Sequence, residues 1–227
     1  TTSGAPQPDG LIGIALSTET RTGFYVPLAA SGGLALTEHL DHATVFARLG
    51  PLLEDETTAV VGHDLKQIML WLAPHGIRLR GLELDTMLAG YLLDAARATP
   101  TLETIALEHT GYRARTAEDI RGKGAKAPDF DRIPPDEVLG YACERADLPL
   151  QAAKPLQEQL ETHGLATLYR ELEHPLIPIL ADIEEAGIAI DVDRLTERSR
   201  EMETELGKLQ AAIFEQAGEE FNVNSPK

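Results

Sequence analysis

Acids, a tyrosine and a cation gather at two places in this chain. One is Val61-Gly62-His63-Asp64-Leu65-Lys66-Gln67-Ile68; the other is Tyr141-Ala142-Cys143-Glu144-Arg145-Ala146-Asp147. Hard divalent cations take several carboxylate oxygens, and a pair of them can activate water and steady a leaving oxygen. The spacing gives that chemistry little to work with. Glu144 is one position from Arg145, about 100° around a helix, and Asp147 lies well along from Tyr141, so both are expected to face elsewhere. Asp64 is expected to cap a helix by accepting backbone N–H bonds. Cys143 has no obvious histidine partner and is expected to be a small buried residue rather than a nucleophile. The seven histidines and single cysteine offer neither a zinc spacing nor an internal disulfide.

A formal charge of −17 opposes broad attraction to nucleic acid, whose affinity comes largely from Lys and Arg neutralising phosphates. Any such contact must be local. The best basic cluster is Arg113, Arg115, Arg121, Lys123, Lys126 and Arg132, broken by Glu118, Asp119, Asp129 and Asp131. It reads either as a solvated loop or as a nucleic-acid contact.

With 227 residues, 43% of them hydrophobic, the chain can bury a core. Its apolar runs are far too short to cross a bilayer, and Thr1 to Pro6 does not resemble a secretory signal, so the cytosol is expected. The run Leu11 to Leu16 suits a buried strand, Phe24 to Leu28 its hairpin partner with Pro27 at a strand end, and Thr58 to Gly62 another strand. Thr37 is expected to cap a helix to about Leu53, with Leu40, Val45, Leu49 and Leu52 on its apolar face. Further helices are expected from Asp64 to Ala73, with Gly76 just past the end, and over Leu84 to Ala96, Leu102 to His109 and Pro135 to Gln159. Gly111 to Pro135 reads as an ordered excursion. Leu165 to Glu185 reads as a helix bent where Pro175 and Pro178 remove donors. The last helix, about Asp193 to Ala217, carries Leu195, Met202, Leu206, Leu209 and Ile213 in a narrow stripe that expects one helical partner, with Gly218 closing it.

Several stretches resemble family A (Pol I-type) bacterial DNA polymerases in order and spacing. Val61 to Lys66, with Gly76-Ile77-Arg78-Leu79-Arg80-Gly81 and Asp85-Thr86-Met87-Leu88, is similar to the second exonuclease block. Asp119-Ile120-Arg121-Gly122-Lys123-Gly124 is similar to the loop that follows, and Tyr141 to Asp147 to the third block. Glu173-His174-Pro175-Leu176-Ile177-Pro178-Ile179-Leu180, continuing through Glu184-Glu185-Ala186-Gly187-Ile188-Ala189-Ile190-Asp191, resembles the start of the thumb, and Gly218 to Lys227 its far end.

The resemblance implies an α/β, ribonuclease H-like fold of the DnaQ type over residues 1–163, a mixed sheet flanked by helices. An all-helical partial thumb follows over 164–227. It also implies that the Asp-x-Glu of the first strand immediately precedes Thr1, leaving that strand outside the sequence and the sheet incomplete. Aligned to the family, Asp64, Gln67 and Ile68 stand at the second-block pattern, with isoleucine at the carboxylate, and Tyr141 and Arg145 stand at the third, with a cation at its carboxylate. The expectation is a degenerate exonuclease-like domain that holds no metal. Mg²⁺ is expected only in a palm beyond Lys227, in a monomeric polymerase of replication and repair. Asn222, Asn224, Ser225 and Lys227 are expected near primer-template DNA, binding phosphates without reading sequence; the plainer alternative is a polar loop after a helix cap. Two other readings stay open. One is a divergent, active metal-dependent exonuclease rebuilt on Asp64, Glu144 or Asp147, and the other is an acidic protein-interaction module.

Overall fold

The computed structural model describes residues 10–28, 40–96, 100–124 and 126–223. These fall into two compact units that divide between Ala186 and Gly187.

In the first unit, β1 (Gly13–Leu16) pairs antiparallel with β2 (Phe24–Pro27), Gly13 opposite Pro27 and Leu16 opposite Phe24. Pro27 ends its strand, where a missing N–H interrupts the ladder least. Helix α1 (His42–Leu53) is capped by Asp41, whose carboxylate accepts the Thr44 N–H at 2.8 Å. The expected cap, Thr37, lies outside the described residues. The buried face of α1 is Val45, Phe46 and Gly50, whereas Leu40 and Leu52 are half exposed. The expected apolar face was therefore set too wide, because one neighbour covers only one stripe of a helix.

Strand β3 (Val60–Gly62) runs parallel to β4 (Leu82–Asp85) and is followed by α2 (Leu65–Leu72) and a short 3₁₀ turn, Ala73–His75. Gly76 follows with φ 74°, as its place after the helix implied. The segment leading into β4 crosses another chain closely. Gly81 has φ 63°, and a Cβ there would fall 2.1 Å from the Thr58 carbonyl oxygen, so no other residue fits. Strand β4 corrects the sequence expectation of one helix over Leu84 to Ala96. The helix is α3 (Thr86–Leu93), with Asp85 as its N-cap. A four-residue parallel strand gains its hydrogen bonds from a partner distant in sequence, so local periodicity misassigns it. The described strands form two two-stranded ladders, one antiparallel and one parallel, the small sheets of the expected α/β fold.

Helices α4 (Leu102–Thr110) and α5 (Ala117–Arg121) follow, the latter closed by a Thr116–Asp119 capping box, and a 3₁₀ turn covers Phe130–Arg132. The excursion from Gly111 to Pro135 is thus ordered in part by local caps. Helix α6 (Pro135–Thr162) is the long spine, burying Val138, Ala142, Leu148, Ala152, Leu156 and Leu160 at helical spacing. After α7 (Ala166–Leu168), residues Tyr169–Glu173 form a π turn leading into α8 (His174–Ala186). The irregularity sits one turn before Pro175. Lacking an N–H, Pro175 cannot donate to Glu171, and the bonding shifts to an i→i−5 pattern in which His174 N–H donates to Tyr169 O.

One apolar cluster joins Leu11, Leu28, Phe46, Leu65, Trp71 and Ile177; a second joins Leu84, Ile105, Leu156, Leu160 and Tyr169. Helix α8 thus packs into the same core as α2. In the second unit, α9 (Val192–Ala217) is capped by Asp191 and ends at Gly218 with φ 76°. Its stripe of Leu195, Met202, Leu206, Leu209 and Ile213 is exposed. Among the described residues no helix is long and apolar enough to cross a membrane.

Candidate functional site

The two places singled out in the sequence lie on α2 and α6, and β4 brings a third set of residues between their neighbours. Asp64 precedes α2 with φ 58°, a left-handed conformation uncommon outside glycine, asparagine and aspartate, and its carboxylate accepts the Gln67 N–H at 3.3 Å. It caps the helix as expected. Burial pushes its carboxyl above the usual range, with the neighbouring Asp85 charge adding to that and the Gln67 hydrogen bond opposing it. Gln67 and Ile68 sit in the first turn of α2. Ile68 is more than a third exposed and offers no ligand atom.

On α6, the Arg145 guanidinium lies 4.7 Å from the Tyr141 ring centroid. Its Nη2 pairs with Glu103 of α4 at 2.8 Å and donates to the Arg115 carbonyl at 2.7 Å, while its Nε is buried with no hydrogen-bond partner. Burial would raise the Glu103 carboxyl, but its own backbone N–H and the Arg145 cation together hold it below the usual range. Tyr141 is half buried and stacks on Phe130, centroids 5.3 Å apart, and Arg121 lies over the far ring at 5.5 Å. The result is a column of cation, ring, ring and cation, which occupies the faces of Tyr141.

The other acids are committed elsewhere. Glu144 accepts from the Tyr112 hydroxyl at 2.9 Å and the Arg115 N–H at 2.8 Å; Asp147 accepts from the Arg21 N–H at 2.6 Å and from Gln151. Cys143 is half buried rather than buried; it packs against Gly23, where a Cβ would approach its own Cβ to 2.7 Å, and burial raises its thiol. Three cations of the basic cluster are paired, Arg121 with Asp129 and Lys123 with Glu118 inside it and Arg115 with Glu144 of α6. Among the described residues no group of three or more His, Cys, Asp or Glu is placed to hold a metal ion. Asn222 is exposed in the second unit. Asn224, Ser225 and Lys227 lie outside the described residues.

Sequence reasoning missed the polar centre at β4. Asp85 is 2% exposed, and its carboxylate accepts N–H bonds from Asp64 and Leu65 at the start of α2 and from Met87 and Leu88 at the start of α3. One side chain therefore caps two helices. Its own N–H donates to the Tyr169 hydroxyl oxygen at 2.8 Å, and burial pushes that phenol up. Beside it, the Thr86 hydroxyl donates to the Gly62 carbonyl at 3.1 Å, which leaves the hydroxyl oxygen to accept from His63 Nδ1 at 3.0 Å. Burial, reinforced by the Arg145 cation, pushes the His63 imidazole down to about 4, against the opposing charges of Asp85 and Glu103. The available signal was Asp-Thr after alternating Leu82 and Leu84, a strand followed by an N-cap. Removing the phenolic acceptor with Tyr169→Phe leaves the Asp85 N–H unpaired inside the fold. The expected loss is about 1–2 kcal/mol of stability, measured by urea unfolding.

Residues 11–146 match the family model described as DNA polymerase I, ribonuclease H-like domain. The chain is 37% identical over 230 residues to DNA polymerase I of Pseudomonas aeruginosa, covering all of this chain and 25% of that protein. It is 35% identical over 219 residues to DNA polymerase I of Geobacillus stearothermophilus, covering 96% of this chain and 23% of the relative. The chain thus spans about a quarter of the length of these curated relatives. The solved structure titled as the POL domain of Pol1 from M. smegmatis in complex with DNA primer-template and dNTP shares the fold. Its TM-score is 0.67 at 24% identity, over 90% of this chain and 30% of that one.

Proposed function

Because the chain belongs to the DNA polymerase I family and carries its ribonuclease H-like, 3′-5′ exonuclease-like domain, we propose that this domain is catalytically silent and acts as a structural part of a polymerase. The observation that carries this reading is Arg145. A cation stands where the resemblance sets a carboxylate, and it is held there by Glu103 at 2.8 Å and by the face of Tyr141. A divalent metal at that point would meet a positive charge instead of an oxygen ligand. Ile68 supplies none either. The nearest remaining acids are not available to it, since Asp64 caps α2 and all four backbone N–H groups on Asp85 would have to be given up. The residues present do not fit a two-metal centre, and no hydrolytic step is derived from them.

In the longer protein the thumb begins within this chain, the exposed stripe of α9 receives a helix from the remaining polymerase, and Asn222 to Lys227 contacts primer-template DNA. Palm and fingers are its other partners, Mg²⁺ is held in the palm, and the enzyme works as a monomer in the bacterial cytosol.

The direct test incubates the 227-residue chain with 5′-labelled single-stranded DNA and Mg²⁺ or Mn²⁺. The expected result is no shortening from the 3′ end beyond that in EDTA. Shortening that EDTA abolishes and Asp64→Ala removes would overturn the reading in favour of a rebuilt, active site.

A further inference from the structure

We propose that the last turn of α8, Asp182–Ala186, is an ionic latch: Lys66 and Arg78 close it onto the first unit, and salt opens it while the apolar core stays intact. The two halves of α8 are held by different forces. In the first half, Ile177 and Ala181 are buried, and the preceding Tyr169 is pinned by the Asp85 N–H. Beyond Ala181 every residue to Ala186 is exposed. There the attachments are charged. Lys66 of α2 pairs with Glu184, and Arg78 grips Glu185 through Nη1 at 2.5 Å and Nη2 at 3.3 Å, with Asp182 at 3.6 Å.

The basic partner is presented on a fixed rail. Ile77 and Leu79 point into the core on either side of Arg78, whose N–H donates to Glu54 at 2.9 Å, and Arg80 N–H donates to the Leu53 carbonyl at 2.8 Å. Open space borders the acidic turn on both sides. One groove of about 990 Å³ is lined by Met69, Leu79, Leu82, Pro178, Asp182 and Glu185, and another of about 460 Å³ by Gln67, Leu70, Ala73, Pro74, Glu184 and Glu185. Water reaches the pairs, and exposed pairs of this kind are weak and easily screened. The donor missing at Pro178 lies within the anchored half of α8, so the part released is the turn beyond Ala181, which frays from its own end. Asymmetric anchoring of this kind makes the last turn the part that moves first when charge is screened. The chain leaves the first unit from this turn, so the latch sets the state of that exit.

The test places spin labels at Arg48→Cys on α1 and Ile183→Cys on α8, both exposed positions that line neither groove, in a Cys143→Ser background of the 227-residue chain. Distances are measured by pulsed electron resonance at ~20 mM and ~500 mM salt, across which the screening length falls from roughly 20 to about 4 Å. Fluorescence of Trp71, which is buried in the core, is followed alongside. The expected result is a short, narrow distance at low salt and an extended population about tenfold larger at high salt, with Trp71 emission unchanged. Lys66→Gln/Arg78→Gln is expected to be extended at both salts, and the exchange Lys66→Glu/Glu184→Lys to restore the short distance at low salt. The proposal is overturned if the parent chain and the double Gln variant give the same low-salt distance, or if Trp71 emission moves together with the distance.

Discussion

Asp85→Ala is expected to lower the stability of the first unit by about 3–5 kcal/mol, the largest loss of any single substitution in the polar centre. The carboxylate is 2% exposed and takes the Leu65 N–H at 2.7 Å, the Met87 N–H at 2.9 Å, the Asp64 N–H at 3.2 Å and the Leu88 N–H at 3.3 Å. Losing one helix cap typically costs about 0.5–2 kcal/mol, and here two caps disappear together. Water cannot replace them at a site this closed, so orphaned N–H groups add their own desolvation cost. The negative charge also faces the positive ends of two helix dipoles, a favourable field that alanine cannot reproduce. Asp85→Asn keeps the shape but turns an amide toward N–H donors, and should lose roughly half as much. Urea unfolding followed through Trp71 measures both. As a control, removing the exposed pair between Arg80 and Glu56 should change stability by less than about 0.5 kcal/mol. A loss below about 1 kcal/mol in Asp85→Ala would mean that the two caps are replaced by other acceptors.

This centre also shows where the sequence was and was not legible. Caps and stops written in adjacent residues were readable, which is why Asp64, Gly76, Gly218 and the span of α9 came out as expected. Each depends on interactions within a turn or two. Strand β4 was misassigned to a helix because its evidence lies in β3, reached only after the chain has folded back. Ile68 and Arg145 were singled out only through the family resemblance, as residues expected where its pattern sets carboxylates. What holds Arg145 was not, since Glu103 lies on another helix and neither residue announces the other locally. The same is true of Asp85 and Tyr169, whose bond joins β4 to the π turn. Local chemistry can be read from the chain, whereas a shared carboxylate becomes evident only when two helix starts converge on it.

His63 should make the fold acid-sensitive above the range in which carboxylates titrate. Its imidazole falls from the ordinary 6.5 to about 4 because it is buried beside the Arg145 cation, with Asp85 and Glu103 only partly offsetting this. The unfolded chain therefore binds a proton near pH 6.5 that the folded one refuses until about pH 4. Stability from this group is fully present above pH 6.5 and is lost as pH falls toward 4, by a total of ~3 kcal/mol. His109 and His174 are also lowered by burial and slope the same way, so the raw curve sums three contributions. His63→Gln isolates one of them. An amide at this position can still donate to the Thr86 hydroxyl, which holds at 3.0 Å in the parent, but it does not titrate. Urea midpoints measured at intervals between pH 7.5 and pH 4 should therefore fall more gently in His63→Gln than in the parent. The two curves should lie close together near pH 7.5 and separate toward the acid end, the parent falling below the variant, because protonation costs the parent what the variant cannot lose. Parallel curves would mean that His63 takes up its proton alike in the folded and unfolded chain, with Asp85 and Glu103 balancing burial and Arg145.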